Sequence, residues 1–174
     1  MYDIIIVRNG EISIKKRNKA DFENALMKNI KYRVYKNKAL KVQKANGRIE
    51  ILLNGQDENE VMENIKDIFG VVSLSPAKVS ESGYENLIMT VKELVETEIG
   101  RDKKASFKIA VKRIDKSFDM KSTQMSRDIG AKILKAFDNL HVDVINPEYE
   151  IHCEYRKNEN ILYFKKVLGE GGMP

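Results

Sequence analysis

Seven Lys or Arg against two Asp occupy the stretch from Lys103 to Lys121. Within it, Phe107, Ile109 and Val111 alternate with Lys108 and Lys112, so an extended strand there would bury one face and turn a cationic face outward. The strand runs out through Arg113 into a loop carrying Lys116 and Lys121. Amino and guanidinium groups at this density suit a phosphate backbone, because each neutralised phosphate releases condensed counterions. The same residues could equally do no more than solvate an exposed strand.

Covalent or metal chemistry finds less material. The one cysteine, Cys153, lies in an alternating run that groups it with Ile151 and Tyr155, and no neighbouring cation would lower its pKa. A buried structural thiol is expected, with His152 on the opposite, solvent-facing side. Two histidines, His141 and His152, are too few for a zinc site. His141 reads as an ordinary loop residue beside the basic half of the chain. Gly169, Gly171 and Gly172 follow the last strand with no helix after them, so they suit a linker and not a phosphate loop.

The chain's 174 residues, 42% apolar and 33% charged, fit a globular protein of one domain or two small ones. No run of 18 apolar residues occurs, which argues against a membrane span and leaves the cytoplasm as the default location. The net charge of +5 favours acidic partners. Its distribution is uneven: Asp57, Glu58, Glu60, Glu63 and Asp67 form an acidic segment. Lys15 to Lys19, Lys36 to Lys44 and Lys103 to Lys121 are basic.

Elements that would position these groups can be read along the chain. Tyr2 to Arg8 is a strand ending at Asn9-Gly10, and Phe22, Leu26, Ile30 and Val34 recur at helical spacing over 19–35. Segments 39–44 and 48–53 flank Asn46-Gly47, a tight-hairpin signal. Val61, Ile65 and Ile68 predict a helix over 58–69 ended by Gly70, followed by a strand at 71–74. Strand, helix, strand, strand, helix, strand is the order of a ferredoxin-like domain, here 1–75. Pro76 to Gly83 predicts a linker and a domain boundary.

The second half predicts a helix over 84–99, the basic strand 106–113, a helix over 122–137 with Ser122 as N-cap, and strands at 142–147, 149–155 and 161–166. The first turn of the 122–137 helix, fronted by Lys116 and Lys121, would offer backbone N–H groups to a phosphate. The fold class is therefore α+β, a ferredoxin-like domain followed by an α/β domain over 76–168, with 169–174 as the start of a linker.

Several runs carry a resemblance. Phe107 to Arg113 with Lys116 and Phe118, the helix with Gly130 before Ile133-Leu134, and Val142 to Pro147 together resemble a THUMP domain, an RNA-binding module of tRNA-modifying enzymes. Arg8 to Lys15, Gly47-Arg48-Ile49 and Gly169 to Pro174 narrow this to similarity with the tRNA 4-thiouridine synthetase family, the tRNA sulfurtransferases that also serve thiamine biosynthesis. Asn9 and Lys16 depart from it, standing where the family commonly has an aromatic residue and glycine.

The resemblance implies a partner, tRNA, gripped at its acceptor stem and 3′ CCA end, mostly by shape and backbone. The candidate RNA-binding residues are Lys112, Arg113, Lys116 and Lys121, with Arg127 and Lys132 on the adjoining helix, and Lys15, Arg17 and Arg48 extending the track in the first domain. In that family an ATP-pyrophosphatase domain follows the Gly-Gly-x-Pro segment, and the sequence stops at Pro174. ATP and Mg, and a sulfur-donating desulfurase, are thus expected to act only through domains outside this sequence, and the chain itself is expected to bind without catalysing. A stand-alone adaptor that works with a separate catalytic subunit, or pairs with itself through edge strands, is the alternative.

Overall fold

Ile4 to Val7 are all buried, and this short β-branched run is the centre of the first sheet. The computed structural model of the chain describes residues 1–10 and 16–167, without the side chains at 16 and 17. It divides into two units, Met1–Lys78 and Val79–Pro174.

In the first unit, β1 (Ile4–Asn9) leads to α1 (Lys16–Val34), β2 (Lys41–Ala45), β3 (Arg48–Leu52), α2 (Glu58–Ile65) and β4 (Val71–Glu81). The strands pair antiparallel in the order β2-β3-β1-β4, which is the ferredoxin-like arrangement. The β2–β3 hairpin turns on Asn46 (φ 56°) and Gly47 (φ 76°), the two positive φ values a type I′ turn demands. Leu26, Ile30 and Val34 of α1 and Val61 and Ile65 of α2 close the core over Ile5, Val7, Ile49 and Ile51.

Two sequence expectations are corrected in this unit. Helix α2 stops at Ile65, four residues before Phe69, because Ile68 closes a tighter turn onto the Ile65 carbonyl and Phe69, 87% exposed, has no apolar surface to reach. Gly70 (φ 101°) starts the return, and a Cβ there would lie 2.9 Å from the Phe22 ring. The expected linker after Ser75 is strand: β4 continues to Glu81, with Pro76 opposite Ile5 and Ala77 opposite Ile4. Proline removes one ladder donor but its φ is compatible with an extended strand, so it does not by itself break one.

The second unit comprises α3 (Tyr84–Glu98), β5 (Ala105–Arg113), α4 (Ser122–Ala136), β6 (Leu140–Val142), β7 (Tyr149–Tyr155) and β8 (Glu159–Lys166). Its strands run in the order β8-β7-β5-β6, with β5 parallel to both neighbours and β7–β8 an antiparallel hairpin. Leu87, Val91, Leu94 and Val95 of α3 and Met125, Ile129 and Ile133 of α4 pack on the sheet face formed by Phe107, Ile109, Ile151, Cys153 and Leu162. The strand expected over 142–147 is cut to β6. Asp143 accepts hydrogen bonds from the N–H groups of Ile145 and Asn146, and this local turn ends the strand.

Asn160, wholly buried, fastens β8 to the segment before α3. Its Nδ2 lies within hydrogen-bond distance of Ser80 Oγ (3.1 Å) and of the carbonyls of Glu81 and Gly83 (3.0 Å each). Among the described residues no helix is long and apolar enough to cross a membrane.

Candidate nucleic-acid interface

The alternation of β5 holds on its helix-covered side: Phe107 and Ile109 are buried and Val111 is half-buried. The opposite side is not the uniform cationic face the sequence suggested. Register places Lys108 opposite Glu150 and Lys112 opposite Glu154, so each lysine faces a carboxylate on β7. Glu154 in turn holds Arg156 at 3.0 Å. His152, expected in solvent, is half-buried, stacked on Tyr163 with ring centroids 4.7 Å apart and 2.9 Å from Glu150. A single strand's pattern cannot report what its neighbour presents, and the neighbour here supplies anions.

Positive charge instead gathers where β5 ends. The N–H groups of Ile114 and Asp115 donate to the Tyr155 carbonyl, carrying the chain past the end of β7. Arg113 then folds back under the loop, its Nη1 donating to the carbonyls of Phe118 and Met120 at 2.9 Å each. Phe118 packs against Tyr84 and Tyr155, with ring centroids 5.2 and 4.9 Å away. The side chain of Asp115 accepts from the hydroxyl (2.6 Å) and the N–H of Ser117, and these bonds hold its carboxyl below the usual range. Lys116 lies in this braced loop and is exposed.

The loop delivers the chain to α4. Lys121, not Ser122, is the N-cap, with an extended backbone at φ −74°, ψ 158°, and its N–H donates to Gln124 Oε1 at 2.9 Å. A lysine side chain has no acceptor, so it cannot satisfy the donors of the first turn. The N–H groups of Ser122, Thr123 and Gln124 precede the first intrahelical bond, Met125 N–H to the Lys121 carbonyl. Lys121 itself is exposed beside them, as is Arg127 one turn on. The combination is a helix N-terminus with free donors, a favourable dipole end and ammonium groups alongside, which suits an anion such as phosphate.

The nine sequence candidates separate on this geometry. Lys112, Lys116, Lys121 and Arg127 are exposed and make no ion pair among the described residues. Arg113 is half-buried and braces the loop from within. Lys132 is held by Asp128 at 2.6 and 2.7 Å, and Asp128 also accepts the Tyr84 hydroxyl at 2.6 Å. Those two donors, Lys132 foremost, keep the Asp128 carboxyl below its ordinary value. Burial, reinforced by Asp128, raises the Tyr84 hydroxyl. Arg48, in the first unit, is paired with Glu50 at 2.9 Å. Lys15 lies outside the described residues, as do the side chain of Arg17 and the expected linker 169–174.

Tyr84 and Gln124 were missed in the sequence. Gln124 was hidden because a capping-box signature needs Ser, Thr, Asp or Asn three residues before the Gln, and Lys121 stands there. Tyr84 had no signal, since only the fold brings it to Asp128.

Cys153 is buried as expected, and burial alone pushes its thiol well above the usual range, so it presents no thiolate. His141 is exposed on β6. Among the described residues no group of three His, Cys, Asp or Glu could hold a metal ion. The arrangement can bind anions.

Comparison with known proteins fits both units. Residues 4–75 match the family model of the ThiI ferredoxin-like domain and residues 81–165 that of the THUMP domain. A Thermoanaerobacter pseudethanolicus protein named "Probable tRNA sulfurtransferase" is 37% identical over 174 residues, and an Alkaliphilus metalliredigens protein of the same name is also 37% identical. Each match takes in the whole of this chain, which spans 44% of the relative's length. Among solved structures, a 4-thiouridine synthetase in complex with RNA and ATP superposes with a TM-score of 0.73 at 30% identity, over 96% of this chain and 42% of that one. With the two domain matches adjacent and in this order, the chain carries a ThiI-type ferredoxin-like domain followed by a THUMP domain, and it is similar to part of the proteins named tRNA sulfurtransferase.

Proposed function

We propose that this chain is the tRNA-recognition region of a sulfurtransferase that makes 4-thiouridine and supplies sulfur for thiamine biosynthesis. The loop 114–121 and the first turn of α4 take the phosphates of the acceptor stem and of the 3′ CCA end. The observation that carries this reading is the open first turn of α4, with Lys121 at its N-cap, Arg127 one turn on and Lys116 in the loop before it, none of them in an ion pair among the described residues. The RNA bound to the similar 4-thiouridine synthetase supports the same ligand class.

Phosphate contacts of this kind position the RNA, and its unpaired 3′ bases supply discrimination. Lys112 lies at the edge of the site, with Glu154 across from it. No residue of this chain is assigned a bond-making step. ATP, Mg and the sulfur donor act through a part of the protein outside this sequence.

The test is a titration of labelled tRNA with the purified chain over a range of salt, with intact tRNA and with tRNA lacking CCA. The expected result is a log–log salt slope of several phosphates, weaker binding after trimming, and strong loss in a Lys116→Glu/Lys121→Glu variant. Salt-independent binding, or equal affinity with and without CCA, would refute the assignment.

A further inference from the structure

Tyr32 and Tyr35 stand together at the end of α1, 77% and 55% exposed, with ring centroids 6.0 Å apart and planes 26° from parallel. Packing gives no reason for them. The core side of this helix is Leu26, Ile30 and Val34, and both tyrosines lie off that side. Two large rings left stacked in solvent are unusual on a soluble surface unless something covers them.

The surrounding charge says what would. Between Lys28 and Ile49 the chain carries eight Lys or Arg and no Asp or Glu. Arg33 is taken by Asp67 and Arg48 by Glu50. The six lysines are exposed and make no ion pair among the described residues. Lys28 and Lys31 lie one helical turn before Tyr32 and Tyr35, Lys36 follows directly, and Lys38 Nζ sits 6.0 Å from the Tyr35 ring centroid. Cations near a helix C-terminus complement its dipole, which accounts for Lys31. It accounts for neither the rings nor the lysines beyond the helix end.

We infer that Tyr32 and Tyr35, flanked by Lys28, Lys31, Lys36 and Lys38, form a stacking platform in the ferredoxin-like unit for unpaired nucleotides of RNA. This rests on the RNA-binding reading above and adds a second contact outside the THUMP unit. Every base has an apolar face and every phosphate a negative charge, so aromatic rings edged by ammonium groups capture single strands with little regard to sequence. A paired duplex keeps its bases stacked internally and offers the rings nothing. The platform therefore distinguishes single-stranded from double-stranded RNA.

The experiment uses the whole chain with two probes, a fluorescein-labelled 12-nucleotide oligouridylate and a 12-base-pair RNA duplex, read by anisotropy at one ionic strength. Tyr32→Ala/Tyr35→Ala is expected to weaken oligouridylate binding at least about fivefold, the lower bound for losing one stacked base. Duplex affinity should stay within about twofold of wild type, since backbone contacts to phosphate do not use the rings. Tyr32→Phe/Tyr35→Phe should bind the oligonucleotide like wild type. Both pairs are exposed, so an unchanged melting temperature is the check on folding.

Unchanged oligouridylate affinity in the alanine variant, or equal loss on both probes, overturns the platform. So does concentration-dependent self-association that the alanine pair abolishes while RNA binding persists, which would make the patch a protein contact. If tRNA binds with the expected salt slope and CCA dependence while the alanine pair changes nothing, this inference falls and the proposed function stands. If the wild-type chain binds tRNA without salt dependence, the proposed function itself falls.

Discussion

Replacing Arg113 by alanine would remove the two bonds that hold the loop after β5 in its curve, those to the carbonyls of Phe118 and Met120. A bond from a charged donor contributes about 1.5–3 kcal/mol. Both arise from one nitrogen of a half-buried group, so water recovers part of the loss and about 2 kcal/mol for the pair is a fair expectation. If tRNA must re-form the curve on binding, that energy is charged against affinity, about 30-fold at 1.4 kcal/mol per factor of ten. Arg113 faces carbonyls and not the solvent, so its loss should lower affinity equally at all salt concentrations and leave the log–log slope unchanged. Lys116→Ala should behave differently, with a modest loss and a slope shallower by about 0.7–0.9 for the missing phosphate contact. Arg113→Lys keeps the charge but lacks the planar fork, so it should fall nearer to alanine than to wild type. Anisotropy titrations at four or five salt concentrations, with urea unfolding of the same samples, measure all of this. Wild-type affinity in Arg113→Lys, or a slope reduced by Arg113→Ala with unchanged stability, would show that Arg113 touches RNA directly and that the bracing role is wrong.

Three further outcomes concern stability. Asp128 has a lowered carboxyl pKa in the folded state, so its contribution is complete above the ordinary value of 3.8 and disappears as pH falls below it. The urea midpoint of Asp128→Asn should lie below wild type at pH 7, and the gap should narrow by pH 3; a gap independent of pH would place the effect elsewhere. Asn160→Ala empties a buried site and leaves the carbonyls of Glu81 and Gly83 short of a donor, and it should cost about 1–3 kcal/mol in urea unfolding. Asn160→Asp, which sets a carboxylate against those carbonyls, should cost more. Gly130 lies mid-helix in α4, and a methyl group on its Cα would meet no heavy atom within 4 Å outside the helix's own backbone. Gly130→Ala should therefore stabilise by up to about 1 kcal/mol, and a lower melting temperature would reveal a close contact at that face.

The first unit was legible almost element by element, because its signals are local. Asn46-Gly47 fixes a hairpin by its own φ values, and the four-residue recurrence from Phe22 to Val34 fixes the core side of α1. Errors arose where tertiary context overrides a local cue. Pro76 has the signature of a break and is a strand residue paired with Ile5. Val142 to Ile145 has the composition of a strand, yet one carboxylate, Asp143, converts most of it to a turn. The candidate interface was legible only as a region. Lys116 and Lys121 could be placed at a strand exit and a helix start, and the i,i+4 spacing of Asp128 and Lys132 on the predicted helix carried an unread signal for their ion pair, but nothing in the sequence aims Arg113 at two carbonyls or sets Glu150 and Glu154 across from β5.

That sorting changes what charge means for this chain. Counting cations from 103 to 121 treats seven groups as equivalent, while the structure gives them different work. Lys103 lies over the Tyr149 ring, Arg113 braces a loop, and Lys108 and Lys112 each face a glutamate. A cation whose field a bond or a facing carboxylate already offsets in the free protein releases few counterions when RNA arrives. The salt slope should therefore follow the groups left open, Lys116, Lys121 and Arg127 with the first turn of α4, and not the total of basic residues. Charge reversal at Lys132 tests the distinction from the other side. Lys132→Glu would place a second carboxylate beside Asp128, so its main cost should appear in urea unfolding, with a slope change well below that of Lys121→Glu. A slope change equal to that of Lys121→Glu, with stability intact, would return Lys132 to the RNA-binding surface.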